Sequence, residues 1–378
     1  MNSTSTNAKP ILFHLITGFN VGGAERMLSR VLPRLDRYHH VLVSLRGDGP
    51  MGEVYRQAGL TTEFLNMAHP LDLRAWWKFR DLVVRYRPAV LTTYLIHADL
   101  VGRIFGHLAG IPIIVSSLRA SLRGYNTGGI LRWVKLFDGW VTHHIAVSEE
   151  VRRFYVEDLH FRAETFTVVT NGLPVNEWTT TLAAETRDQL RQSIGLPPEA
   201  FIIGTVSQLR PEKAVDRLVA PVQRLRESTP PIHCLIIGDG KEEEKIRRQA
   251  QEAGVAERMH FLGNRKDVKE VLKLLDIFIL PSLFEGMSNA LLEAMAAGRT
   301  IMVTDTPENR EVITPETGVL LDTGNADLMA QTISALQQDV HRRETLAATA
   351  RRRFEEHFAL EKKIEQLDRL YQSLITRT

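Results

Sequence analysis

The chain has 378 residues, of which 44% are apolar and 24% charged, with a formal net charge of +2. Those values exclude collagen-like, low-complexity and strongly disordered chains, and the length makes two domains the natural expectation. The charge is uneven: residues 1–175 hold 20 Lys/Arg against 14 Asp/Glu, the remainder 27 against 31. A basic first half suits an anionic partner or a lipid surface, with chance asymmetry as the alternative, whereas the near-neutral total, with no basic-aromatic recognition motif, argues against nucleic acid.

In chain order, the polar start MNSTSTNAKP lacks the apolar stretch of a secretory signal and reads as a disordered tail. Strands follow at ILFHLITGF, HHVLVSL, AVLTTYL, IPIIVSSL, HHIAVS and FTVVTNG, with crossover helices such as GGAERMLSRVLPRL and DLRAWWKFRDLVVRYR between them. After TNGLPVNEW comes a polar, helical-looking stretch over 179–200. The strands then resume at FIIGTVSQL, HCLIIGDG, MHFLG, IFILPS, TIMVTD and GVLLD. This alternation predicts parallel sheets covered on both faces. The expected fold is α/β: two doubly wound Rossmann-like domains facing across a cleft, at 1–175 and 176–358, with helix 359–378 free to pack back on the first. The single cysteine, Cys234, lies in an apolar run and reads as an inert core thiol; a cytoplasmic, reducing location fits. No apolar run approaches the roughly 18–20 residues that span a bilayer.

In open parallel sheets, ligands bind at the carboxyl ends of strands, so the post-strand turns carry the candidate site. In TGFNVGGAERM, Gly22 and Gly23 allow unusual backbone angles or close approaches. A helix starting at about Ala24 would point free N–H groups at a phosphate or sugar oxygen; a plain tight turn is the alternative. The spacing is not GxGxxG, which argues against NAD. In SQLRPEKAVDRLV, Arg210 and Lys213 flank a helix start. Cations there oppose the helix dipole, and a diphosphate held by a forked guanidinium and an ammonium point charge would account for them; a solvated basic loop is the alternative. In EGMSNALLEAMAAG, Ser288 reads as an N-cap with the helix beginning at Asn289. The N–H groups of Asn289, Ala290 and Leu291 are then donors for a phosphate, with Glu285 in the preceding loop and Glu293 one turn in as acceptors for two sets of hydroxyls. The alternative for Glu293 is a partly buried capping acid.

G-G-A-E-R after the first strand, R-P-E-K after the first strand of the second half, and E-x7-E, in that order, resemble the retaining glycosyltransferases of the group 1 type (family GT4, GT-B fold), along essentially the whole chain. The resemblance implies that Glu285 binds donor-sugar hydroxyls, that Arg210 and Lys213 hold the diphosphate with help from amides near Asn289 and Ala290, and that Glu293 binds the ribose. Gly22 and Gly23 would approach the donor, and Arg265 to Val268, with Asp267 and Val268 foremost, would lie near the base. Many members carry a histidine just after the strand IPIIVSSL, where this chain has Arg119. His97, after the preceding strand, is the substitute candidate, and with Arg119 is expected to serve the donor sugar or the acceptor; a packing role is the alternative. Asn309 and Arg310 replace part of a more glycine-rich run and could shape specificity.

The implied reaction is transfer from a nucleoside-diphosphate sugar, UDP-sugar favoured, to a saccharide or lipid-linked acceptor in cell-surface polysaccharide or glycolipid biosynthesis. No D-x-D occurs, so no metal and no other cofactor is expected. Without an evident protein nucleophile, front-face substitution assisted by the donor phosphate is favoured. A nucleotide-sugar epimerase on the same scaffold and a non-catalytic nucleotide- or sugar-binding subunit are the competing readings. DLRAWWKFRDLVVRYR and GGILRWVKLFDGWV mix basic and aromatic residues at helical spacing. They are read first as crossover helices packing on the sheet, and second as a peripheral contact with the inner membrane face.

Overall fold

The structure is a computed structural model that describes residues 9–69, 72–121, 129–178 and 182–377. The polar start at 1–8, Gly128 at the head of one basic aromatic stretch, and 179–181 at the head of the polar stretch lie outside the described residues. The chain divides into two compact units, Met1–Asn171 with Glu361–Thr378, and Gly172–Leu360.

In the first unit, β1 (Ile11–Ile16), α1 (Gly23–Val31), β2 (His39–Ser44), α2 (Pro50–Gln57), β3 (Thr61–Phe64), α3 (Leu73–Tyr86), β4 (Val90–Tyr94), α4 (Ile96–Leu108), β5 (Ile113–Leu118), α5 (Ile130–Leu136), β6 (His143–Ala146), α6 (Glu149–Arg153) and β7 (Phe166–Val168) follow in order. They form a seven-stranded parallel sheet in the order β3-β2-β1-β4-β5-β6-β7. The edge strand β3, TTEF, is absent from the sequence reading. It is four residues long and half-buried throughout, so neither length nor alternation marks it.

Strand alternation sorts this interior into two chemistries. Phe13, Leu15, Val41, Val43 and Leu91 face one side, where Phe79 and Leu82 of α3 and Phe105 of α4 pack on them. Gly102 lets α4 lie close: a Cβ there would come within 2.3 Å of Thr93 Cγ2. The opposite side carries a buried polar chain. His40 Nε2 is 2.9 Å from the Leu35 carbonyl, His14 Nε2 is 2.9 Å from His40 Nδ1, and the Tyr94 hydroxyl is 3.2 Å from His14 Nδ1. A carbonyl only accepts, so neutral His40 carries its proton on Nε2 and accepts from His14, which in turn accepts from Tyr94. The chain continues through Tyr371 to Thr92, whose hydroxyl oxygens lie 3.0 Å apart. Tyr371 belongs to the C-terminal helix α15 (Leu360–Thr376), so this network docks that helix on the first sheet.

In the second unit the order is α7 (Ala184–Ile194), β8 (Phe201–Val206), α8 (Val219–Arg224), β9 (Ile232–Ile237), α9 (Glu243–Glu252), β10 (Met259–Gly263), α10 (Val268–Leu272), β11 (Ile277–Leu280), α11 (Asn289–Ala296), β12 (Thr300–Thr304), α12 (Pro307–Val312), β13 (Val319–Leu321), α13 (Ala326–Gln338) and α14 (Val340–His357). The parallel sheet runs β10-β9-β8-β11-β12-β13. Ile203, Ile236, Ile277, Ile279 and Met302 build a dry core beneath α8 and α13; each such side chain contributes about 1.5–3 kcal/mol by leaving water. Cys234 sits in that core, and burial pushes its thiol up to about 12, as an inert thiol requires.

Candidate functional site

Each sheet reverses its winding once, between β1 and β4 and between β8 and β11. A doubly wound sheet opens a crevice at such a switch point, beyond the carboxyl ends of its strands. The sequence candidates fall on these turns, and each unit is taken by itself.

In the second unit, the turn after β8 runs through Arg210 into a single 3-10 turn, Pro211–Lys213, while Glu285 follows β11. Lys213 Nζ lies 2.7 and 2.8 Å from the two Glu285 carboxylate oxygens, and the Leu283 amide donates to the Glu212 carbonyl at 2.9 Å. The two turns are thus stitched together across the switch point. The sequence reading gave Lys213 to a diphosphate and Glu285 to a sugar; the structure pairs the two with each other. An ammonium has three N–H donors, so one remains beyond this pair. Arg210 extends into solvent, 3.9 Å from Glu212 Oε1.

The glycines of GDGK, a motif the sequence reading took as a tolerable variant of a family glycine loop, shape this turn. Gly238 and Gly240 have φ of +124° and +153°, and a Cβ would come within 2.0 Å of the Ser207 carbonyl oxygen and 2.3 Å of that of Leu209. The Leu209 amide donates to the Asp239 carbonyl at 2.7 Å, and the Glu242 amide to the Leu209 carbonyl at 3.1 Å. Only a residue without Cβ permits this approach, which fixes the base of the Arg210 turn.

α11 begins at Asn289 behind Ser288, whose Oγ accepts from the Leu291 amide at 3.3 Å. That corrects one expectation: the Leu291 N–H is used by the cap and is not available to a ligand. Asn289 and Ala290 occupy the first turn, and Glu293, one turn in, is buried. Asp267 and Val268 follow β10, beyond β9 from the switch point. The Arg265 guanidinium grips both Asp267 oxygens at 2.7 and 2.6 Å and holds that carboxyl below its ordinary range. Asn309 is buried and donates to the Thr304 carbonyl at 2.8 Å, while Arg310 forks onto Asp305, so both brace the β12–α12 turn.

In the first unit, Gly22 caps α1 with φ of −150°, ordinary extended backbone, and the helix starts at Gly23. Gly22 therefore needs no left-handed angle. Its missing Cβ makes room for Glu25, whose Oε2 would stand 2.4 Å from it. Glu25 occupies the third helical position, where an acid folds back over the N-cap residue. The positive end of α1 thus already faces an internal, buried carboxylate, and burial pushes that carboxyl up. The sequence expectation had left this end to a phosphate or sugar oxygen, with a plain tight turn as the alternative; the E of GGAER was the available signal.

His97 lies exposed in the first turn of α4, after β4. The residue that caps this helix, Leu95, has φ of +69°, which costs a bulky side chain roughly 1–3 kcal/mol and tends to occur at functional turns. Arg119 follows β5, and its Nη2 donates to Asn171 Oδ1 at 2.8 Å. Burial lowers this guanidinium to about 10, against the opposing pull of Tyr94 and Glu25. Arg119, Tyr94, Ser117 and the buried Lys363 border a cavity of about 10 Å³, room for one water. Arg119 therefore faces the interior of its own unit. Among the described residues no cluster of three or more metal-ligating side chains occurs, and no helix is long and apolar enough to cross a membrane.

Comparison with known proteins matches residues 186–353 to the family "Glycosyl transferases group 1" and residues 22–172 to the family "Glycosyl transferase 4-like domain". An Escherichia coli protein named UDP-Gal:alpha-D-GlcNAc-diphosphoundecaprenol alpha-1,3-galactosyltransferase is 22% identical over 313 residues, 80% of each chain. The lipopolysaccharide core biosynthesis mannosyltransferase LpsB of Rhizobium meliloti is 25% identical over 197 residues, 50% of this chain and 56% of that one. Anabaena HepE, crystallised in complex with UDP-glucose, shares the fold with a TM-score of 0.87 at 22% identity, over 96% of this chain and 99% of that one. Two consecutive family matches, the paired turns of the second switch point and the two parallel sheets agree: the chain belongs to the group 1 glycosyltransferases and has their two-domain GT-B fold.

Proposed function

We propose that this protein is a retaining, metal-independent glycosyltransferase. It would move a sugar from a nucleoside-diphosphate sugar, UDP-sugar in the first instance, to a saccharide or lipid-linked acceptor in cell-surface polysaccharide or glycolipid biosynthesis. The observation that carries this reading is the Lys213–Glu285 pair beside Arg210 at the β8/β11 switch point, with the first turn of α11 close behind in sequence. The UDP-glucose in the HepE crystal and the UDP-Gal in the name of the E. coli relative support the choice of donor.

In this mechanism Arg210 and the remaining Lys213 donor meet the diphosphate, while the Glu285 oxygens, already oriented by Lys213, accept from donor-sugar hydroxyls. The bond between the anomeric carbon and the phosphate oxygen breaks with its electron pair on the leaving diphosphate, where the fixed cations stabilise the growing charge. The acceptor hydroxyl attacks from the same face, and its proton passes to the leaving phosphate oxygen. Glu293 is assigned to the ribose and Asp267–Val268 to the base, with His97 serving the sugar or acceptor.

The test is nucleoside diphosphate release from UDP-, GDP-, ADP- and dTDP-sugars, with and without saccharide or lipid-linked acceptors. Release with one base is expected, and Lys213→Ala should lower kcat by about 10²–10³-fold, as removal of one such donor does. A nucleotide that raises the melting temperature while every donor stays intact would replace transfer by binding alone.

A further inference from the structure

We propose that the small cavity beneath α15 in the first unit binds one halide ion, chloride in ordinary solution, which pins that helix to the sheet. The cavity, of about 10 Å³, is bordered by Tyr94 at the end of β4, Ser117 and Arg119 at the end of β5, and Lys363, Leu367 and Tyr371 of α15. The three α15 residues recur every four positions, so they share one face of the helix. Met27, Leu28 and Val31 of α1 and Ile145 of β6 supply apolar walls.

Two cations meet at this space. Lys363 is only 4% exposed, and its Nζ donates to the Thr170 carbonyl at 2.8 Å; Arg119 Nη2 donates to Asn171 Oδ1 at 2.8 Å. Among the described residues neither forms an ion pair, and the sequence outside them, at 1–8, 70–71, 122–128, 179–181 and 378, contains no Asp or Glu. The acid within electrostatic reach of Arg119 is Glu25, whose carboxylate folds over Gly22 at the start of its own helix. An ammonium has three N–H donors and a guanidinium five, so both cations keep donors beyond the bonds named. The buried Ser117 hydroxyl borders the same space and can donate into it. Tyr94 does not, since its proton goes to His14.

Buried cations set side by side are costly unless an anion offsets them. Left to themselves, the pair resolves the conflict by proton loss: burial, and then Arg119, lower the Lys363 ammonium well below the ordinary lysine value. Water fits the space and accepts from such donors, but it carries no charge against two cations. Phosphate, sulfate and carboxylate groups carry the charge but need room for several atoms. A monatomic anion meets both limits, and apolar walls suit a weakly hydrated halide better than fluoride or hydroxide. Bound there, the ion joins α15, through Lys363, to the β5 turn, through Arg119 and Ser117.

The experiment is thermal unfolding of the full chain at fixed ionic strength, as sodium chloride or bromide replaces sodium gluconate. A saturable rise in melting temperature is expected, of roughly 3–6 °C at ten times the dissociation constant. Fixed ionic strength holds screening constant, and general salt exclusion favours anions such as sulfate over halides, so a halide-specific rise reads the site. Lys363→Met, which keeps an apolar side chain on the same helix face, should abolish the response. Ser117→Ala should weaken halide binding about tenfold. If Lys363→Met fails to fold, wild-type crystals grown in bromide give the same reading through an anomalous peak between Arg119 and Lys363. Equal melting temperatures in chloride and gluconate, a response that survives intact in Lys363→Met, or a bromide peak absent from this cavity would overturn the proposal.

Discussion

At the first switch point, between β1 and β4, the helix end is met by a buried acid of its own, Glu25, and the sheet face behind it holds His14, His40 and Tyr94, with Tyr371 and the buried Lys363 supplied by α15. At the second, between β8 and β11, one face of the sheet is an apolar core and the charge stands in the turns, as Arg210 and the Lys213–Glu285 pair. The winding is the same and the investment differs. The His40–His14–Tyr94 chain of the first unit satisfies itself and specifies packing, whereas Arg210 and Lys213 of the second stand in its turns. The proposal of a diphosphate at the second switch point rests on this difference: Lys213 keeps one donor beyond Glu285, and Arg210 stands in solvent 3.9 Å from Glu212.

The largest effect that bears on this contrast is expected at Arg103. Arg103→Ala leaves Asp99 and Asp138 without their buried partner and should cost roughly 3–5 kcal/mol. Urea unfolding followed by tryptophan fluorescence reads it well, since four of the five tryptophans, Trp76, Trp77, Trp133 and Trp140, lie in the first unit. A cost under about 1 kcal/mol would remove the polar interior as a source of that unit's stability.

Acid comes next. Burial holds His14 and His144 below the ordinary imidazole value, and lowers His40 and His143 to about 4; the second unit has His233 and His260 in the same condition. Each folded value lies below the unfolded one, so the unfolded chain binds more protons in acid. The stabilisation is present above pH 6.5 and is lost as pH falls towards about 4. For His40 alone the full loss is roughly 3 kcal/mol. The fluorescence-detected melting temperature should therefore drop between pH 7 and 4, and a flat profile would contradict a neutral His40–His14 chain.

The smallest effect is local to the second switch point. Ser288→Ala removes the cap on the Leu291 amide and should lower stability by about 1 kcal/mol, while Ser288→Gly should cost only a few tenths. Equal losses in the two variants, measured by calorimetry, would mean that Oγ does not cap α11.

Much of this was legible before folding. The apolar runs gave every strand but β3, because burial on both faces of a parallel sheet demands continuous apolar sequence, and TTEF at the edge escapes that demand. Ser288 and the start of α11 were readable because capping is local chemistry. Arg210, Lys213 and Glu285 were readable as post-strand residues and as motifs, but their pairing was not. Lys213 and Glu285 are 72 positions apart, and only the strand order β8-β11 makes them neighbours.

The sequence by itself determined the period of the elements, the caps and the residues that stand at the carboxyl ends of strands, since these depend on a few consecutive residues and their hydrogen-bonding groups. Tertiary structure decided which of those groups remain for a ligand. It paired Lys213 with Glu285 and Arg119 with Asn171, groups 72 and 52 positions apart. It also turned Asp138 inward to Arg103 and left the cations of α3 and α5 outside. Burial charges a full desolvation cost to any unpaired polar group, so partners are chosen by proximity in space, which sequence distance does not record.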